Sequence, residues 1–247
     1  SRPERVLILG VPVDCVDMDG ALAAVDDMIA GDRAHTILAV NPEKIMAARR
    51  DAATLESLRQ ASLLIPDGIG AVLGIRLLHR KRVDRVPGSE LMPRLCERSV
   101  DEGYRLFLYG ASEAVNARAV EVLTERYPGV RIVGRQHGFM AEEQMPELVE
   151  RINESGAQIL FVALGSPRQE LWINRYMPRL TSVKVYQGVG GTFNVIAGEV
   201  RRAPEIFCRL HLEWFYRLMT DPRRIARQIV LPWYALLVLR QKLTGHN

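Results

Sequence analysis

Short apolar runs alternate with stretches of helical periodicity from Arg5 to Ala197. The runs Arg5–Gly10 (RVLILG), His35–Val40 (HTILAV), Leu63–Pro66 (LLIP), Arg105–Gly110 (RLFLYG), Val130–Gly134, Gln158–Gly165 (QILFVALG) and Val183–Gly188 are short and bounded by turn residues, which predicts strands. Between them the periodicity predicts helices over Gly20–Ile29, Pro42–Arg50, Asp51–Ala61, Ile69–Leu78, Ser89–Glu102, Ser112–Tyr127, Ala141–Ser155, Arg168–Met177 and a short Gly191–Ala197. Strands that alternate with helices predict parallel βαβ units. The expected fold is therefore α/β, a Rossmann-like doubly wound parallel sheet.

Composition changes this picture only near the C-terminus. The chain has 247 residues, 48% of them hydrophobic and 25% charged, enough for a sizeable core. Cys15, Cys96 and Cys208 are scattered, show neither a disulfide framework nor metal-ligand spacing, and suit a reducing compartment. No signal-peptide pattern is read at the start. Of the net +4, residues 201–247 carry +6, from nine Lys/Arg against three acids, which leaves −2 for residues 1–200. The same stretch holds six of the sixteen aromatics: Phe207, Trp214, Phe215, Tyr216, Trp233 and Tyr234. This shift predicts an α/β domain over 1–198 and a helical, basic-aromatic appendage over 199–247. Ile229–Leu239 is too short and interrupted to span a bilayer, which needs about 20 apolar residues. Basic helices with Trp and Tyr on one side suit an anionic membrane surface. The same face could instead pack on the domain or on a second subunit. The charge excess makes a thin case for nucleic acid.

Strand-end loops carry the candidate chemistry, because the C-terminal ends of parallel strands lie on one edge. Asp67 follows Leu63–Pro66 and precedes Gly68. It reads equally as a general base at that edge or as the N-cap of the next helix. Asn41 precedes Pro42, which suits an N-cap followed by Pro at N1; its amide also suits a sugar or a catalytic neighbour. Gly110-Ala111-Ser112 is a tight turn that lets backbone N–H groups approach a phosphate, without the glycine fingerprint of dinucleotide sites. In Gly165-Ser166-Pro167-Arg168-Gln169-Glu170, Ser166 and Pro167 are expected at N-cap and N1. Arg168 there opposes the helix dipole, which hints at an anionic partner. Gln187-Gly188-Val189-Gly190-Gly191 ends the last strand with glycines that permit close backbone approach. Asp17-Met18-Asp19 looks like a metal-binding D-x-D but precedes a helix, which favours capping. The five histidines show no pair at metal-ligand spacing.

Taken in order, these stretches resemble the WecG/TagA/CpsF family of bacterial glycosyltransferases. The likeness is carried by Gly10–Asp14, Asn41-Pro42-Glu43, Pro66–Gly70, Arg85-Val86-Pro87-Gly88, Gly165–Glu170, Gly188–Phe193, Arg202-Ala203-Pro204 and Leu212–Arg217. It implies an inverting, metal-independent transferase with no cofactor. Such an enzyme moves a hexose (N-acetylmannosamine, its uronic acid, or glucose) from a UDP-sugar to a sugar on a polyprenyl diphosphate, in cell-surface polysaccharide or exopolysaccharide synthesis. It implies a peripheral protein on the cytoplasmic face of the bacterial inner membrane. The base falls on Asp67, with Asn41, Gln169 and Arg85 beside it. Gly110, Ala111, Ser112, Gly165, Ser166, Pro167, Gln187, Gly188, Gly190 and Gly191 line the donor site. Trp214, Arg217, Arg223, Arg224, Arg227 and Trp233 serve the diphosphate and the membrane. One position departs: the family has T-x-N where this chain has Ala39-Val40-Asn41, so a hydroxyl near the sugar is missing.

The expected reaction is deprotonation of an acceptor hydroxyl by Asp67, attack on the anomeric carbon, and departure of UDP onto hydrogen-bond donors. A nearly buried carboxylate suits such a base. The rivals are a nucleotide-binding α/β protein without transferase activity, which Ala39 favours, and a nicotinamide oxidoreductase, which the missing fingerprint disfavours. A homo-oligomer is compatible with all three.

Overall fold

The computed structural model describes residues 3–200, 207 and 229–245. A hairpin of β1 (Arg5–Ile8) and β2 (Val11–Asp14) leads into α1 (Met18–Ala30). Then come β3 (His35–Val40), α2 (Pro42–Ala48), α3 (Ala52–Gln60), β4 (Leu63–Pro66), α4 (Ile69–His79) and α5 (Gly88–Glu102). The second half runs β5 (Arg105–Gly110), α6 (Glu113–Arg126), β6 (Arg131–Gln136), α7 (Met145–Ser155), β7 (Ile159–Ala163), α8 (Arg168–Tyr176), β8 (Val185–Gly188) and α9 (Thr192–Ile196). A last helix, α10, covers Val230–Thr244.

Six strands form one parallel sheet in the order β4-β3-β8-β7-β5-β6. Both faces are apolar because strand residues alternate between them. Ile37, Ile65, Leu106, Leu108, Ile159, Phe161 and Val185 pack with Val25, Leu91, Leu95, Leu123 and Phe193 from α1, α5, α6 and α9. The opposite face divides in two. Leu38, Val40 and Leu64 meet the hairpin, α2, α4 and α10, whereas Phe107, Tyr109, Leu160, Val162 and Tyr186 meet α7 and α8. The sheet is thus doubly wound.

The first apolar run departs from the expected pattern. Arg5–Gly10 does not supply a strand to the parallel sheet. Its residues Arg5–Ile8 pair antiparallel with Val11–Asp14, joined by Leu9 and Gly10. Both turn residues have positive φ, 53° and 80°, as a two-residue hairpin turn of matching twist requires. The side chain of Asp14, 1% exposed, anchors the hairpin to the sheet. It accepts from Arg5 at 2.7 and 2.9 Å and from the Leu64 N–H of β4 at 2.7 Å.

α10 lies against the hairpin side of the sheet. Tyr234 and Val238 are buried in that core. Tyr234 Oη donates to Gly70 O at 2.9 Å, and Leu9 N–H donates to Gln241 Oε1 at 3.0 Å. Gly74 is required beneath it, since a Cβ there would come within 2.6 Å of Tyr234 Oη and 2.9 Å of Ile8. Away from that core Trp233, Leu236, Leu239 and Leu243 of α10 are exposed. Among the described residues no helix is long and apolar enough to cross a membrane.

Asp14→Ala strips the buried end of Arg5 and leaves the Leu64 N–H without an acceptor. It is expected to cost about 3 kcal/mol in urea unfolding; a loss below about 1 kcal/mol would show that the hairpin is held by its apolar contacts alone.

Candidate active site

Every strand of the parallel sheet ends on the same edge, and there the sequence placed its candidates. Asn41 ends β3 and caps α2: its Oδ1 accepts from Lys44 N–H at 2.8 Å, with Pro42 in the first turn. Capping occupies the carbonyl and leaves the Nδ2 protons to donate, so the structural and chemical roles coexist. Asp67 ends β4, hydrogen-bonded through its N–H to Val40 O at 2.9 Å. The N-cap of α4 is Gly68, with φ +98°. Asp67 therefore stands one residue ahead of the cap position. It is half-buried rather than nearly buried. A Cβ on Gly68 would sit 3.9 Å from Asn41 Cβ, so the two strand ends are neighbours. The next loop returns to this corner through Val86 N–H to Pro66 O, 2.9 Å, which brings Arg85 to it. Arg85 lies 3.7 Å from Glu90 and is largely covered, at 15% exposure.

Gln169 and Glu170 open α8, after β7. The expected Ser166 cap is not made. Pro167 occupies the N-cap rather than N1, after a cis Ser166–Pro167 peptide, and Gly165 O takes the Gln169 N–H at 3.0 Å. A backbone carbonyl thus supplies the bond expected of the serine hydroxyl. Ser166, Pro167 and Arg168 are exposed, whereas Gln169 and Glu170 are buried. Gln169 Oε1 accepts from Gly190 N–H at 3.0 Å, across to the loop after β8. Gly188 makes room for it: a Cβ there would fall 2.6 Å from Gln169 Nε2. Gly165, Gly190 and Gly191 border open space, with nothing within 4 Å of where a Cβ would sit.

Gln187, on β8, is 1% exposed and donates to Gly88 O at 3.3 Å. Its Oε1 is buried without a hydrogen-bond partner. Ala39 belongs to the same corner. A point 3.8 Å from Ala39 Cβ and 4.0 Å from Gln187 Nε2 is where a Cβ on Gly88 would lie. The missing hydroxyl is thus missing beside Gln187.

The Gly110-Ala111-Ser112 turn is more engaged than its sequence suggests. Ala111 N–H bonds Ala163 O at 3.0 Å, and Ser112 Oγ accepts from Val115 N–H at 3.3 Å as the cap of α6. Gly110 packs so closely on β7 that a Cβ would reach Ala163 backbone at 2.5 Å. Asp17 caps α1, accepting from Gly20 N–H at 2.8 Å, which bears out the capping reading of Asp17-Met18-Asp19. Among the described residues no three His, Cys, Asp or Glu are grouped to hold a metal ion.

Helix starts differ in a way that bears on anions. The N-termini of α1, α2, α3 and α6 are closed by a side-chain cap. Those of α4, α5, α7, α8, α9 and α10 have none. Uncapped N-terminal N–H groups carry the positive end of the helix dipole, and α4 and α8 begin at the edge where Asp67 and Gln169 lie.

Sequence reasoning missed Lys44 as a site residue. Its ammonium lies 2.6 Å from Glu170 Oε1, in a pair 11% and 5% exposed. A Lys two residues after a Pro gives no sign of a partner so distant in the chain. Trp214, Arg217, Arg223, Arg224 and Arg227 lie outside the described residues.

Residues 6–247 match the Glycosyl transferase WecG/TagA/CpsF family. Two similar proteins are each named N-acetylglucosaminyldiphosphoundecaprenol N-acetyl-beta-D-mannosaminyltransferase. That of Bacillus spizizenii is 35% identical over 206 residues, covering 83% of this chain and 79% of its own. That of Bacillus subtilis is 35% identical over 209 residues, with the same coverage of both chains. With the match spanning nearly every strand-end loop described above, the chain belongs to the WecG/TagA/CpsF family and is a glycosyltransferase.

Proposed function

We propose that this glycosyltransferase moves N-acetylmannosamine, with inversion, from its UDP-sugar to N-acetylglucosamine on diphosphoundecaprenol. The names of the two relatives support the acceptor and the transferred sugar. The observation that carries the reaction is the meeting of Asn41, Asp67 and Gln169 at one sheet edge beside uncapped helix N-termini and open glycine loops.

Asp67 Oδ takes the proton of the acceptor hydroxyl as its oxygen attacks the anomeric carbon from the face opposite UDP. The bond to the UDP oxygen breaks as the new glycosidic bond forms, so one configuration inverts. Negative charge grows on the departing diphosphate. Donors aimed at such charge are the largest source of rate in this class of step. Backbone N–H groups at the starts of α4 and α8, the Gly190–Gly191 loop, Arg85 and the C-terminal arginines are proposed to supply them, without a metal. Asn41 Nδ2 and the Gln169 amide hydrogen-bond the sugars. Gln187 and Ala39 line the wall of the donor pocket.

The acceptor hangs from a lipid, so the enzyme works at a membrane surface. Tyr234 and Val238 hold α10 to the domain, and its exposed Trp233, Leu236, Leu239 and Leu243 are offered to lipid. We assign this protein to the cytoplasmic face of the bacterial inner membrane as a peripheral enzyme, with residues 199–247 as its membrane-binding part.

Asp67→Asn should lower UDP release by about 10³-fold with UDP-N-acetylmannosamine and a lipid-diphosphate N-acetylglucosamine acceptor, while UDP still binds. A loss under about tenfold would remove Asp67 as the base. Gly188→Ala pushes on the hydrogen-bonded amide of Gln169 rather than on backbone, so unfolding should shift by no more than about 1–3 kcal/mol. The displaced Gln169 should nevertheless cut kcat/KM by about 10- to 100-fold, and wild-type kinetics would show that its position is immaterial. Joint replacement of Trp233 and Leu236 by Glu should release the enzyme from anionic vesicles and leave turnover on a short, soluble acceptor unchanged. Undiminished sedimentation with vesicles would refute the assignment of that face to lipid. Truncation is the poorer test, since it would also remove Tyr234 from the core.

A further inference from the structure

The buried pair of Lys44 and Glu170 has no part in the reaction as written above. It is also a poor device for stability. Glu170 Oε2 is buried without a hydrogen-bond partner, and apolar side chains of similar volume generally hold a core as well as a buried ion pair does.

Its surroundings show what it holds. Glu170 Oε1 receives Lys44 Nζ at 2.6 Å and also Gln169 Nε2 at 3.4 Å. The other end of the same amide, Gln169 Oε1, accepts from Gly190 N–H at 3.0 Å. A carboxylate only accepts and a backbone N–H only donates. Together the two partners admit one orientation of the Gln169 amide and fix its plane at both ends. One N–H and one lone pair remain for a ligand. Lys44 also donates its backbone N–H to Asn41 Oδ1 at 2.8 Å. One residue in the first turn of α2 therefore ties the amide of Asn41 through its main chain and that of Gln169 through Glu170. The network joins the loops after β3, β7 and β8.

We propose that Lys44 and Glu170 are positioning residues for the transfer: the ion pair locks the Gln169 amide in the orientation that meets the substrate. This rests on the reading of Gln169 as a substrate-contacting residue. The short link from Lys44 Nζ to Glu170 Oε1 keeps that acceptor beside Gln169. Misplacement of a substrate-positioning group by about 1 Å is enough to cost up to about 100-fold in rate.

The test is a mutant cycle on the full-length enzyme, with kcat and KM for the donor and the melting temperature as readouts. Lys44→Met with Glu170→Met removes both charges and keeps the volume. Its melting temperature should stay within about 4 °C of wild type, while kcat/KM falls about 10- to 100-fold, mostly in kcat. Gln169→Leu should lose as much. In the Gln169→Leu background the double replacement should cost less than about threefold more, because the amide it positions is gone. Lys44→Arg, which keeps the charge, should recover part of the activity that Lys44→Met loses. Should the double variant not fold, Glu170→Gln takes its place, and the same lack of additivity with Gln169→Leu is required of it.

Wild-type kinetics in the double variant, or losses that multiply in the Gln169→Leu background, would overturn the proposal and leave the site intact. Full activity in Gln169→Leu would overturn the placement of Gln169 against the substrate, and the role of the pair with it.

Discussion

The pairing of β3 with β8 is the contact on which the site depends. His35, Thr36 and Ile37 lie opposite Val185, Tyr186 and Gln187 in parallel register. Without this ladder the sheet would be two pieces, β4-β3 and β8-β7-β5-β6. The first piece carries Asp67 and Asn41; the second carries Gln169 and the Gly188–Gly191 loop. Parallel register puts both sets on one edge, and burial on both faces holds that register, since a slip by one residue would reverse every side chain. The strand order also changes direction here: from β3 the chain moves outward to β4, and β8 arrives from the other side. Ligands in open α/β sheets bind in the crevice that such a reversal leaves.

Much of this was legible in the sequence. Five of the parallel strands stand out because strands buried on both faces must be largely apolar runs; the edge strand β6, RIVGRQ, is only partly buried. Their ends are marked by Asn41-Pro42, Asp67-Gly68, Gly110 and Gly165, residues that polar edges and tight turns demand. The hairpin was not legible. Its turn is Leu9-Gly10, and a leucine at positive φ is not a residue that signals such a turn. The Ser166 cap failed because a cap is a local expectation, and Gly165 O took the bond first. Lys44 and Glu170 were illegible as a pair, since contact between two helix starts so far apart exists only after β3 and β8 have paired. Chemistry at strand ends is readable; chemistry that crosses between strands is not.

Stability and function are arranged differently on the two sides of the sheet edge. Away from the site, charge is used where it is fully satisfied. Asp14 accepts three hydrogen bonds, two from Arg5 and one from the Leu64 N–H. At the site two polar atoms are left short, as are Asn116 Oδ1, Ser182 Oγ and Tyr186 Oη elsewhere. Glu170 Oε2 and Gln187 Oε1 are buried without partners, and α4 and α8 start there without a side-chain cap. An orphaned buried acceptor costs free energy of order 1–3 kcal/mol. The hairpin, three apolar clusters and the Tyr234 anchor of α10 offset that cost from elsewhere in the same domain.

Ala39 sharpens this contrast. It sits on β3 opposite Ile65 of β4, with its methyl against the core that includes Leu91 and Leu95. Neither of its neighbours in the site depends on a hydroxyl there. Asn41 is held by Lys44 N–H, and Asp67 by Val40 O through its backbone. Ala in place of the family's Thr therefore leaves Asn41 and Asp67 held by the same hydrogen bonds. Gln187, its buried neighbour, keeps its carbonyl oxygen without a partner. On that geometry Ala39 leaves Asn41 and Asp67 in place, and the departure no longer favours a protein that merely binds a nucleotide.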